Sequence, residues 1–200
     1  FDYGYQNLKD LEADADFTIV DANVLYNGQV AFEDNVVFTA PDGTKIGVFG
    51  LDTPETATKA HPAKIQGVTF LAGDKMFDCA QVDALEAEGC EYIICLGHLG
   101  IDAESTGNRS IDLLEKVDGI DVFIDGHSHS TLEDVKAAAG GTGKVGDTLV
   151  TSTGTKLESV GVVTIDADGT ITTATTPVAD LTATDADVAA RAPKIQAEID

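Results

Sequence analysis

Basic residues are scarce in this chain. Lys and Arg total 12 of 200 residues against 35 Asp and Glu, which gives a formal net charge of -23 and a pI near 4.1. A surface of that sign excludes nucleic acid as a partner, because gripping a phosphate backbone needs a basic face. It disfavours anionic membranes for the same reason. It also sets a problem: if the ligand is an anion, some other group has to supply local positive charge. Long apolar runs are missing too. No stretch of about 18 uncharged apolar residues occurs, so no transmembrane helix is encoded. The opening FDYGYQNLKD has neither the basic start nor the apolar core of a secretory signal. Cysteine is sparse: Cys79, Cys90 and Cys95 form no C-x-x-C pair, which excludes a zinc ribbon. Cys95, inside YIICL, reads as a small core residue. An odd cysteine count permits one disulfide at most.

What is present is an alternation of strand and helix patterns. FTIVDA (17–22) is apolar and β-branched and reads as a strand. Residues 35–39 lead into PDGT, a turn signal, and then KIGVFGL (45–51), which together predict a hairpin. A helix is expected from an Asp74 cap to about Glu88, ended by Gly89. EYIICL (91–96) and DVFID (121–125) read as buried strands, with a short helix capped by Ser110 between them. The middle of the chain, from Lys45 to Asp125, is therefore β-α-β-α-β, the pattern of parallel strands covered on both faces. KAAAGGTGKVGDT reads as a flexible loop. LVTST and GVVTIDADGTI read as antiparallel strands turning at Asp168–Gly169. TTATTPVADLTATDAD looks like an exit from the domain, and DADVAARAPKIQAEI like a terminal helix that Pro193 kinks or interrupts.

Histidine is nearly as scarce as cysteine, with four in the chain, yet two of them stand in GHSHS directly after DVFID. A third, His98, stands in GHLG directly after EYIICL. Ligands of open parallel sheets bind beyond the carboxyl ends of strands. Gly97 and Gly126, just before His98 and His127, allow a sharp turn and a close approach. Two neighbouring strands thus deliver imidazoles to one edge. The two rings of a His-x-His step point different ways, which suits two adjacent ions better than one chelated ion. Taken singly, each is equally a hydrogen-bonded polar residue; the repeat at matching strand ends favours metal ligation by His98, His127 and His129. His61, in a proline-bearing loop, reads as a surface residue.

GHLG and GHSHS, with DANVLYNGQVAF, GTKIGVFGLDTPETATKAHP, VTFLAGDKMFD and GTKLESVGVVTIDADG, resemble the calcineurin-like metallophosphoesterases. Within them the likeness is to the group of 5′-nucleotidases, UDP-sugar hydrolases and 2′,3′-cyclic-nucleotide phosphodiesterases. It runs from Phe1 to about residue 170. The resemblance implies a mixed-sheet α/β sandwich of the metallophosphoesterase type, lacking its N-terminal strands. Residues 1–180 would be the C-terminal part of the catalytic domain. Residues 181–200 would be a linker helix toward an absent substrate-binding domain. His98 and His127 would ligate one divalent ion and His129 the other. Asp2, in FDYG, would correspond to the carboxylate that orients a catalytic histidine, one that in the family lies just upstream in a GNHE motif.

The expected cofactor is a pair of divalent ions, whether Zn, Mn, Fe, Co or Ni, with at most a partial site held by these 200 residues. Such a pair lowers the pKa of a bound water and clamps a phosphate ester. It also answers the charge problem. The expected ligand is a nucleotide or another phosphate ester, with no nucleic acid and no membrane insertion. Self-association through exposed sheet edges, or pairing with the missing N-terminal segment, is a further expectation, as is an extracellular or envelope location. Two alternatives remain at this point. One is a single-metal binding module that uses the three histidines alone. The other is a non-catalytic interaction domain that keeps the fold.

Overall fold

The structure, a computed structural model, describes residues 1–199, with side chains as far as residue 197. In chain order the first elements are α1 (Tyr5–Asp14), β1 (Val24–Tyr26), β2 (Gln29–Val30), β3 (Asn35–Thr39), β4 (Lys45–Asp52) and α2 (Thr56–Lys59). Then come β5 (Val68–Phe70), α3 (Asp74–Phe77), α4 (Val82–Ala87), β6 (Tyr92–His98), α5 (Ser110–Leu114) and β7 (Val122–Ile124). The chain closes with α6 (Leu132–Ala138), β8 (Lys144–Val145), β9 (Thr148–Thr151), β10 (Ser159–Ile165), β11 (Ile171–Pro177) and α7 (Ala186–Ile199).

A 6-stranded mixed sheet in the order β3-β4-β6-β7-β9-β8 is the centre of the fold. The expected hairpin is there: β3 and β4 pair antiparallel around a turn in which Asp42 accepts from the Thr44 amide and Gly43 takes φ 97. β4, β6 and β7 are parallel, as the apolar runs predict. Register sets Phe49 beside Cys95, Cys95 beside Phe123 and Phe123 beside Val150. All four side chains are fully buried, in one cluster with Met76 of α3, Leu85 of α4, Leu113 of α5 and Val135 of α6. Each such aliphatic or aromatic side chain contributes about 1.5–3 kcal/mol through burial. All three thiols are free.

A second, 3-stranded sheet, β2-β1-β5, carries a smaller core. Val24, Ala31, Phe32 and Phe70 are buried there, with Phe1, Tyr5 and Leu8 packed over them. The Phe1 ring meets Phe70 edge-on at 5.0 Å. That contact anchors the first residues of the chain beside the main sheet.

Several expectations need correction. FTIVDA is not a strand: only Val20 bridges, to Glu33. The Asp21 carboxylate accepts from the amides of Asn23 and Val24 and turns the chain there. The helix expected from Asp74 to Glu88 is two helices, broken around Gln81. The Gln81 side chain donates to the Cys79 carbonyl and accepts from Asn35 of β3, and these bonds replace the helical ladder at the break. The cap of α5 is Arg109, whose guanidinium and amide both bond Asp112, while Ser110 is buried in the first turn.

The glycine- and alanine-rich stretch is not a loop throughout. It holds the end of α6, a helix started upstream by a reciprocal Thr131–Asp134 cap, and the edge strand β8. Because α6 is a crossover, β9 (the LVTST run) joins β7 in parallel rather than pairing with β10. The β10–β11 hairpin does turn at Asp168–Gly169, and its second strand takes up Ile171–Pro177, part of the expected exit. The terminal helix continues through Pro193 and is exposed over its described side chains. Asp200 lies outside the described residues.

The segment before β1 crosses β4 at very close range. A Cβ on Gly50 would sit 2.0 Å from the Val20 carbonyl oxygen, a backbone atom with no slack. Gly50→Ala is expected to lower stability by about 2–3 kcal/mol, as forced overpacking does. Urea titration checks this. A loss under about 0.5 kcal/mol would show that the two segments do not cross so tightly.

Candidate functional site

The carboxyl ends of β4, β6 and β7 form one edge, and parallel register decides who meets there. Asp52, the last residue of β4, is the direct neighbour of His98, the last residue of β6. β7 ends at Ile124, so Asp125, Gly126 and His127 continue over the same edge. Of the two expected glycines, Gly97 is sterically required and Gly126 sits in a tight contact. A Cβ on Gly97 would lie 2.2 Å from the Phe123 ring, and one on Gly126 would lie 3.2 Å from His98 Nδ1. His127 and His129 both hold left-handed backbone, at φ 69 and φ 55. Strain of this kind in two non-glycine residues, of order 1–3 kcal/mol each, persists only where the surroundings enforce it.

Directly before this segment stands Asp125, which is 8% exposed. Its Oδ1 accepts from the amides of Leu99, Gly100 and Gly126 at 3.2, 2.9 and 2.9 Å. One carboxylate oxygen therefore ties the loop after His98 to the loop before His127. Its Oδ2 is buried with no hydrogen-bond partner among the described residues. Burial raises the pKa of this carboxyl above its usual 3.8, against the nearby Ser110 hydroxyl and the three amides. The loops interlock further: Ser128 accepts from the Ile101 amide at 3.2 Å and pairs with Ser130 at 2.7 Å.

The result is a convergence of imidazoles. His98 Nε2 and His127 Nδ1 are 3.3 Å apart, with ring centroids at 5.0 Å and planes at 63°. On its other side, His127 Nε2 lies 3.0 Å from Glu55 Oε2. Lys59 Nζ donates to the same oxygen at 2.6 Å, and the Ser105 hydroxyl donates to Glu55 Oε1. Lys59 and then Ser105 hold the Glu55 carboxyl well down, at about 2, against desolvation, and the His127 hydrogen bond adds a lesser effect. Partial desolvation lowers the pKa of the His98 ring below 6.5; Asp52 opposes this, and His127 and His129 add to it. His98 is thus a neutral ring at pH 7, the form that binds metals.

A cleft of about 160 Å³ opens on this pair, lined by Asp2, Thr53, Thr56, Lys59, Ala60, His98 and His127. Asp2 therefore stands in the same cleft as the two imidazoles. His129 does not complete the group. It is exposed, and among the described residues no three His, Cys, Asp or Glu side chains stand together as a ready-made metal cage. His61 is a surface residue, its ring accepting from the Ala63 amide at 3.2 Å. A larger cleft, of about 470 Å³, lies between the β3–β4 and β10–β11 turns at the opposite strand ends and contains no imidazole.

Sequence reasoning missed Asp52, Glu55 and Asp125. The signal for Asp52 is its place at the end of a strand parallel to β6. For Asp125 it is a carboxylate closing an apolar strand directly before a glycine. Nothing marks Glu55 among the 35 acidic residues.

No protein-family profile matches the chain. A trifunctional nucleotide phosphoesterase, YfkN of Bacillus subtilis, is 40% identical over 95 residues, 46% of this chain and 6% of that protein. A 5′-nucleotidase of Diplobatis ommata is 30% identical over 145 residues, 68% of this chain and 23% of that protein. The matched stretch is thus under a quarter of either relative. The crystal structure of the calcineurin-like phosphoesterase YfkN from Bacillus subtilis superposes with a TM-score of 0.80 at 24% identity, covering 99% of this chain and 67% of that one.

Proposed function

Since this chain is a homologue of 5′-nucleotidases and carries the calcineurin-like phosphoesterase fold, we propose that it supplies half of the metal site of a metal-dependent phosphoric ester hydrolase acting on nucleotides. The 3.3 Å separation of His98 Nε2 and His127 Nδ1 supports this most directly. Nitrogens bound to one tetrahedral ion at about 2.0–2.1 Å stand about that far apart. His98 and His127 would hold one ion; His129, at the rim, would reach toward a second. A bound divalent ion supplies Lewis acidity and a water of lowered pKa.

The chain's own residues do the rest. Asp125 fixes the two loops, so His98 and His127 need little rearrangement to bind. Thr53, Thr56 and Ala60 line the cleft, and Asp2 lines it with the two imidazoles. The cleft's basic side chain, Lys59, is already paired with Glu55. With a chain charge of -23, a phosphate ester would be repelled unless cations sat on the histidines, and this argues for metal dependence.

Binding of AMP to the 200-residue chain tests the reading. Titration is expected to show AMP binding with zinc or manganese present and none with a chelator. His127→Ala should abolish the metal-dependent part. AMP binding that ignores both chelator and substitution would overturn the proposal. Two imidazoles leave most of one ion's coordination to water, so these residues by themselves are expected to turn over AMP poorly. An ordinary rate of about 1–1000 s⁻¹ from them would contradict the half-site reading.

A further inference from the structure

We propose that Glu55 is a positioning residue that fixes the orientation and tautomer of His127, leaving the His127 Nδ1 lone pair directed toward His98. The inference rests on His127 being a metal ligand, and its starting point is geometric. His127 Nε2 lies 3.0 Å from Glu55 Oε2. An ionised carboxylate only accepts, so the nitrogen facing it must carry the ring proton. A neutral imidazole has one such proton, and Nδ1 is therefore the unprotonated nitrogen. That nitrogen is the one 3.3 Å from His98 Nε2. In the metal-free chain His98 donates to it; with an ion bound, the same lone pair is a ligand.

Glu55 is itself held from two sides. Lys59, four residues on in α2, donates to Oε2 at 2.6 Å. Ser105, 3% exposed in the short 3₁₀ turn Ala103–Ser105, donates to Oε1. With both oxygens engaged, the carboxylate has no freedom to swing away from His127. Two separate segments, the start of α2 and the Ala103–Ser105 turn, thus converge to aim one ring. The left-handed backbone of His127 needs such an outside restraint, since its own φ of 69 is not a preferred state. Carboxylates behind ligating histidines are worth about 10–100-fold in metal affinity.

The test uses the 200-residue chain with ¹⁵N-labelled histidine. Long-range ¹H–¹⁵N correlation reads the tautomer of each ring without any metal. The wild type is expected to show His127 as the Nε2–H form alone. Glu55→Ala should give a mixture and weaken zinc binding by about 10–100-fold. Glu55→Gln, which retains an acceptor oxygen, should restore much of the single tautomer. Wild-type His127 in the Nδ1–H form, or an unchanged tautomer and affinity in Glu55→Ala, would overturn the proposal. If Glu55→Ala fails to fold, the wild-type tautomer and the Gln variant still decide it. Failure of the metal reading shows separately, as zinc binding that survives His127→Ala.

Discussion

Replacing Asp125 with alanine is expected to destabilise the chain by about 3 kcal/mol or more and to weaken metal binding with it. The substitution strands the amides of Leu99, Gly100 and Gly126, which share one acceptor in a buried position. Each unsatisfied buried donor costs about 1–3 kcal/mol. Relief of the buried carboxylate, whose Oδ2 has no partner, offsets part of that sum. Asp125→Asn separates the two effects, because it keeps the Oδ1 acceptor and removes the charge. The Asn variant should stay within about 1 kcal/mol of the wild type. Urea unfolding at unchanged slope measures both. If alanine cost no more than asparagine, Asp125 would not be the tie between the two histidine loops.

The second large effect is in pH. Burial, and then the charge of Asp52, push the Asp21 carboxyl from 3.8 up to about 8. A group with a raised folded pKa contributes stability below its unfolded value and loses it as pH rises through the folded one. Between about pH 4 and pH 7 the loss is of the order of 4 kcal/mol, at about 1.4 kcal/mol per unit. Asp52 and Asp125, also raised by burial, act in the same direction. Glu55, lowered to about 2, acts in the opposite one, and its contribution fades only as pH falls below its usual 4.5. Stability should therefore peak in mild acid, near pH 4–5, and fall toward neutrality. Asp21→Asn keeps an acceptor for the Asn23 and Val24 amides and should flatten the slope above pH 5. Equal slopes for both proteins in thermal unfolding across pH 4–8 would refute this.

Particular residues show how far the fold was legible. KIGVFGL, EYIICL and DVFID became parallel neighbours because continuous apolar runs separated by helices have few other solutions. FTIVDA carries the same apolar signal, yet one carboxylate, Asp21, redirects it through two backbone amides. Gln81 breaks a continuous helical pattern because its side chain bonds a strand far away in sequence. The stretch after Ser130 is poor in large apolar residues, so α6 was invisible, and with it the crossover that makes β9 parallel. At Gln81 a long-range bond to Asn35 outweighed the helical pattern; at Asp21 and at the start of α6 local side-chain bonds to the backbone decided the outcome.

The site divides the same way. His98 and His127 were legible because scarce residues stood at matching strand ends. The carboxylates around them were not, since 35 acidic residues hide the few that matter until register places Asp52 beside His98 and folding brings Glu55 to His127. His129, expected from the sequence as a ligand of a second ion, is exposed and its ring does not join the pair.

Convergence of the strand-end histidines is the central claim, and zinc binding by the 200-residue chain tests it most directly. Four proteins are dialysed and their metal content measured: wild type, His98→Ala, His127→Ala and His61→Ala. An acidic chain collects cations loosely, so the contrast among variants matters more than the total. The account predicts about one firmly held ion in the wild type and in His61→Ala, lost in both of the other variants. Equal retention in all four would mean that His98 and His127 do not hold an ion together.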